Sequence, residues 1–175
     1  LKVIKMMILE RKNLYHSNNT REFIAPFFNL TIMEIFIPFN VPSLKNSKIK
    51  TSKGIFPSKT FKRYLQAIGI QHFSSSKKIV TEYKTRENIF RKTFEDVDWV
   101  KPDGLIVLGY HFIRKSKHKW DFDNAIATVN DLLTAHDFIE DDNMDWLIPM
   151  PMKKDDKWYS YDKNNPGVIL KVLNE

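Results

Sequence analysis

Cysteine is absent from the 175 residues, so neither a disulfide nor a thiolate-held metal can organise this chain. That suits a reducing compartment, and a cytoplasmic location is expected. Long apolar runs are also missing. The longest, residues 104–113, is interrupted by His111 and falls short of the ~20 residues that cross a bilayer, so no membrane partner is expected. The start of the chain has no basic, apolar and small-residue succession of the kind that directs secretion. Glycine is scarce: five residues, scattered, with no phosphate-cradling loop and no Gly-x-Ser-x-Gly elbow. The five histidines show no paired-ligand spacing, which argues against zinc. His111, alternating within a strand, reads as structural or partly exposed, and His136 as a helix-end residue in contact with the dipole.

One further absence is local. Residues 35–81 contain no Asp or Glu but carry Lys45, Lys48, Lys50, Lys53, Lys59, Lys62, Arg63, Lys77 and Lys78. Residues 131–162 reverse the balance, with nine acids against Lys153, Lys154 and Lys157. The net charge is +7, which favours polyanionic partners, nucleic acid first. A positive arm and a separate acidic cluster suit phosphate binding in one place and cation binding in another.

The apolar content, 42 %, is enough for a core. Residues 1–32 read as an N-terminal extension and residues 33–175 as the functional domain. A strand is expected from Met33 through Pro38, then a loop over residues 39–48 and another around Gly54 and Pro57. Ser58 can cap a helix to about Ile68, with Phe61, Leu65 and Ile68 on one face. Residues 77–96 read as a charged helix and 105–113 as a strand. A helix should start at Asp123-Asn124, present Ile126, Val129 and Leu133, and end near His136. Residues 144–150 and 168–173 read as strands, with Trp146 and Trp158 packed in their sheet. The fold class expected is α/β (α+β), a small mixed sheet packed with helices.

The chemistry on offer is that of carboxylates. Asp121-Phe122-Asp123-Asn124 is followed by Glu140-Asp141-Asp142. With 13 Asp in the chain one Asp-x-Asp arises by chance, and Asp96-Val97-Asp98 reads as a solvated helix end. The plain reading of Asp121 and Asp123 is helix capping, and that of Asp141 and Asp142 a turn. Three features favour a site. Alternate residues of extended backbone point the same way, so Asp121 and Asp123 can converge on one cation, and hard carboxylate oxygens suit Mg²⁺. Arg114, Lys115, Lys117 and Lys119 come immediately before and would draw a phosphate backbone. The pair also stands between a strand and a helix, where loops commonly carry function.

The basic run, Asp-x-Asp-Asn, a helix carrying Asp131-Leu132-Leu133, and Asp-Asp before a strand together resemble the RusA-type Holliday-junction resolvases. Val41-Pro42-Ser43 with Asn46 is similar to that family's N-terminal loop. The resemblance covers residues 33–175 and is most specific over 114–142. It implies catalytic, metal-binding Asp121, Asp123 and Asp142, Mg²⁺ (with Mn²⁺ as a substitute), and a homodimer that nicks four-way DNA junctions in recombination and repair. A bacterial, phage or prophage source comes with it. One departure stands out: Ala127 occupies the position where the family often has Lys, so Lys119 or Lys45 would have to supply that charge. Asp141 is the alternative to Asp142. Lys45, Asn46, Lys48, Lys50 and Lys53 would grip phosphates, and Phe39, Phe56 and Trp120 could meet unstacked bases, with ordinary packing as the duller role. A helix of ~13 residues, about 20 Å long, separates Asp123 from Asp142, so sites shared across a two-fold axis are expected. The competing readings are a junction binder without turnover and a metal-dependent nuclease without junction preference.

Overall fold

The structure, a computed structural model, describes residues 34–43, 48–52 and 54–174. The expected extension over residues 1–32, and Met33, lie outside the described residues, as do Lys45, Asn46 and Lys53.

The main sheet is built around one long strand. β1 (Glu34–Pro38) pairs antiparallel with β9 (Gly167–Val172), and β9 pairs antiparallel with β6 (Ile106–Arg114). The far edge of β6 is shared by two short parallel strands. β7 (Leu147–Pro151) covers its first half and β8 (Tyr159–Tyr161) its last three residues. The register places Ile35, Ile37, Val168, Leu170, Leu108, Tyr110 and Phe112 on one face, all buried. That face joins the core formed with the helices, as period-2 alternation requires. It is a mixed α+β arrangement with a small sheet and three helices among the described residues.

Helix α1 (Lys59–Ala67) starts where expected. The Ser58 hydroxyl accepts the Phe61 amide at 3.2 Å, and Phe61, Tyr64 and Leu65 are buried. The helix stops before Gly69, whose φ of +83° suits glycine; a Cβ there would lie 1.9 Å from the Glu87 carbonyl oxygen.

Two expectations give way in the first half. The region around Gly54 and Pro57 is a hairpin, β2 (Lys48–Thr51) against β3 (Gly54–Pro57). Residues 77–96 are not one helix. β4 (Ile70–Ser74) turns through residues 75–78, with Lys78 at φ 48°, into β5 (Ile79–Glu82). Only then does α2 (Ile89–Glu95) begin, because Asn88 caps it by accepting the Arg91 amide at 3.0 Å. A mid-segment cap of that strength divides a charged stretch that otherwise reads as one element.

Helix α3 (Phe122–Ala135) connects β6 to β7. It ends in a Schellman arrangement: Asp137 adopts φ 60°, its amide reaches the Thr134 carbonyl at 3.1 Å, and the Phe138 amide reaches the Leu133 carbonyl at 3.0 Å. Beyond it, Lys78 and Lys101 together clamp Asp137 and Glu140. The polar core contact between sheet and helix is Tyr110 Oη donating to Asn130 Oδ1 at 2.6 Å.

Candidate active site

The topology settles where the acids stand. β6 and β7 run parallel, so the connecting α3 must return the length of the sheet. Asp121 lies seven residues past the carboxyl end of β6, and Asp142 lies in the connection that follows the far end of α3. Crevices at the carboxyl ends of strands are where α/β sheets bind ligands.

Helix α3 begins at Phe122, one residue earlier than the sequence suggests. Asp121 is its N-cap, extended at φ −106° and ψ 128°, while Asp123 already lies in the first turn. Strand alternation therefore does not align the pair; proximity to one helix N-terminus relates them instead. Asp121 sits at the capping position without performing the capping bond. Its Oδ2 accepts from Asn124 Nδ2 at 2.9 Å, so Asn124 orients the carboxylate. Both acids are exposed, and the helix dipole favours negative charge here.

Asp142 occupies different surroundings. The two oxygens of Asp141 are engaged within the turn, accepting the Asp142 amide and Asn143 Nδ2, each at 2.8 Å. Asp142 is exposed as a residue, but its carboxyl is partly screened from solvent. Desolvation, and then the nearby carboxylates of Asp131 and Asp141, hold its pKa above the ordinary Asp value. Asp131 is eight residues beyond Asp123, roughly 12 Å along the helix at 1.5 Å per residue. Among the described residues no group of three or more His, Cys, Asp or Glu side chains could hold a metal ion, so one chain does not assemble Asp121, Asp123 and Asp142. The donor chemistry at the head of α3 still fits a hard cation. Two accessible carboxylates, neither in an ion pair among the described residues, match Mg²⁺, which often takes one or two carboxylates and keeps water for the rest.

The basic run divides into two kinds of residue. Arg114 is half-buried: its guanidinium lies 4.7 Å over the Trp120 ring, Nη1 donates to the Val41 carbonyl at 3.2 Å, and burial lowers its pKa. It braces the site. Lys115, Lys117 and Lys119 are exposed, and the Lys115 amide is fixed by Asn40 Oδ1 at 3.1 Å. Thr128 Oγ1 donates to the Pro42 carbonyl at 2.9 Å, so the chain at Pro42 docks against the middle of α3. Lys50 is exposed on β2, while the Lys48 and Phe56 side chains lie outside the described residues. Ala127 is half-buried one turn beyond Asp123 and offers no charge. Phe39 is exposed at φ 74°.

Between the basic run and β8 opens a cleft of about 710 Å³. Lys117, His118, Lys119, Trp120, Asp121 and Phe122 form one side, and Pro151, Trp158, Tyr159 and Tyr161 the other. The second wall escapes sequence reasoning. Trp158, expected within the sheet, is 55 % exposed because the chain leaves the edge of β6 after β7 and rejoins it only at Tyr159. Three aromatics within residues 158–161 were the available signal.

The two conspicuous histidines are structural. His111 is buried, with Nδ1 3.2 Å from the Met152 carbonyl and Nε2 3.1 Å from Ser160 Oγ. His136 is buried at the end of α3, its Nδ1 2.7 Å from the Leu132 carbonyl of the last turn, and desolvation lowers its pKa to about 4.

Compared with models of known protein families and with curated proteins, the chain matches none. No helix among the described residues is long and apolar enough to cross a membrane.

Proposed function

We propose that this chain is a Mg²⁺-dependent endodeoxyribonuclease that acts on four-way DNA junctions as a homodimer. The observation that carries the reading is the position of Asp121: a capping residue whose carboxylate caps nothing, held by Asn124 at the mouth of a cleft flanked by Lys117 and Lys119. A capping role alone would bond that oxygen to a backbone amide.

The chain's own residues divide the work. Asp121 and Asp123 would hold the cation, which when bound supplies Lewis-acid polarisation of a phosphoryl oxygen and an activated water. Lys119, beside Asp121 in the cleft, takes the charge-stabilising part that Ala127 cannot. Lys115 and Lys117 draw in the phosphate backbone, and Lys50 extends that surface. Asp142 is supplied to the site by the second subunit. An antiparallel pair of α3 helices across a two-fold axis would bring each Asp142 to the other chain's Asp121 and Asp123, and the same axis matches the symmetry of a junction.

A second reading, a junction binder without turnover, is favoured by Ala127 alone. Cleavage of a synthetic four-way junction beside a matched linear duplex, in Mg²⁺ or EDTA, separates the two. The expected result is paired, Mg²⁺-dependent nicks in the junction only, lost in Asp142→Asn. Tight binding without nicks would select the binder, and cutting of every substrate would select a general nuclease.

A further inference from the structure

The wall of the cleft opposite the acids has chemistry of its own. Trp158, Tyr159 and Tyr161 are 55 %, 42 % and 42 % exposed, an unusual solvent cost for three large rings within four residues. Register explains their grouping. Tyr159 pairs with Phe112 and Tyr161 with Arg114, so both tyrosines share the face of β6 that also carries Trp120's support. At this end of β6 the two tyrosines stay exposed, although the same face carries the core farther along the strand. The rings meet edge to face: Trp120–Tyr159 at 5.7 Å and 83°, Tyr159–Tyr161 at 5.6 Å and 89°. Such contacts fix ring orientation. Cations accompany them. Lys117 Nζ lies 5.9 Å from the Tyr161 ring centre and Lys153 Nζ 5.2 Å from that of Trp158.

We infer that this aromatic wall is a stacking platform for unpaired nucleotides of a single DNA strand, bases on Trp158 and Tyr161, phosphates on Lys117 and Lys153. The inference rests on the nucleic-acid reading above and adds a partner to it. Exposed rings, each with an amine over one face, match a strand that offers bases and phosphates in alternation, a combination that serves sequence-independent single-strand binding. An acidic peptide would use the lysines and leave the rings idle; a purely apolar partner would bury the lysines unpaired. The cleft, about 710 Å³, falls within the range of roughly 300–1,000 Å³ of sites for ligands of nucleotide size. Next to Asp121, the platform would hold strand separated at a branch point.

The test uses the full chain in EDTA, where turnover is absent, so it stands apart from the cleavage assay. A labelled ten-nucleotide oligothymidylate and an abasic strand of the same length are titrated, with tryptophan fluorescence as a second readout. The oligothymidylate should bind at least about ten-fold more tightly than the abasic strand and quench the tryptophans. Trp158→Ala and Tyr161→Ala should each weaken it by about ten-fold, as expected for one lost stacking contact. Trp158→Phe should retain most of the affinity, and melting curves should match wild type. Equal affinity for the two strands, or alanine variants that bind as wild type does, would overturn the platform in favour of phosphate contacts alone. Unchanged strand binding together with dissociation of a dimer by Trp158→Ala, seen in sedimentation, would overturn it in favour of an interface between copies. If junction cleavage fails while the oligothymidylate still binds in this pattern, the nuclease reading falls and the platform stands.

Discussion

Asn88 Nδ2 donates to His136 Nε2 at 3.0 Å, joining the cap of α2 to the end of α3. The direction is fixed at both ends. Asn88 Oδ1 is committed to the Arg91 amide, so its nitrogen faces the ring. His136 Nδ1 lies 2.7 Å from the Leu132 carbonyl, which can only accept, so Nε2 is the unprotonated nitrogen.

Acid should therefore weaken the fold through this ring. The folded pKa of about 4 lies below the ~6.5 of an unfolded histidine, so the unfolded chain binds more protons between those values. The contribution is intact above pH 6.5 and is lost as pH falls toward 4, on the order of 3 kcal/mol in full. The charged groups at the ring, Arg91 and Glu82, act in opposite senses and rank below desolvation. Urea unfolding at pH 7.5, 6, 5 and 4 for wild type and His136→Gln should converge at low pH. Parallel curves would remove the ring from the acid response.

Gly69→Ala should cost about 3 kcal/mol or more. The added methyl meets the Glu87 carbonyl, which is backbone and cannot rotate away, at a left-handed φ. Thermal melts would read this as a loss of well over 5 °C, whereas Gly104→Ala, with open space around its Cβ but φ +130°, should cost strain only.

The lysines and Arg114 should separate in salt titrations. Lys117→Ala and Lys119→Ala should each lower the log–log salt slope of duplex-arm binding by up to about 0.9 and leave melting unchanged. Arg114→Ala should instead lower the melting temperature, since it removes the Trp120 contact and the bond to Val41. A slope change for Arg114→Ala equal to that of Lys119→Ala would reverse this division.

Mixed dimers test the shared sites. Asp121→Asn and Asp142→Asn should each reduce cleavage by a hundred-fold or more as homodimers. Mixing the two subunits should restore one intact site per heterodimer, giving single nicks without paired resolution. Mixtures as inactive as either parent would place the third acid elsewhere.

The strands with alternating or continuous apolar residues were legible as strands: Ile35 and Ile37 in β1, the run of β6, Val168 to Leu170 in β9. So was α1, because Ser58 and its i, i+4, i+7 apolar positions agree. The hairpins were not. β4 and β5 expose much of their surface and are joined by a turn that carries Lys77 and Lys78, so neither period nor burial marks them. β8 is three residues whose pairing depends on β6, more than forty positions away. At the site, the identity of Asp121 was legible but its geometry was not. Alternation presumes extended backbone, and the helix N-terminus claimed Asp123 first.

The excursion between Pro151 and Tyr159 leaves the edge of β6 and returns to the same edge, with His111 pinning both departure and re-entry through Met152 and Ser160. The sheet thus has a socket. Residues 153–158 can change in length or composition while the strands on either side keep their register. The rim of the cleft is free to diverge as a cassette, without the scaffold beneath it having to be refitted.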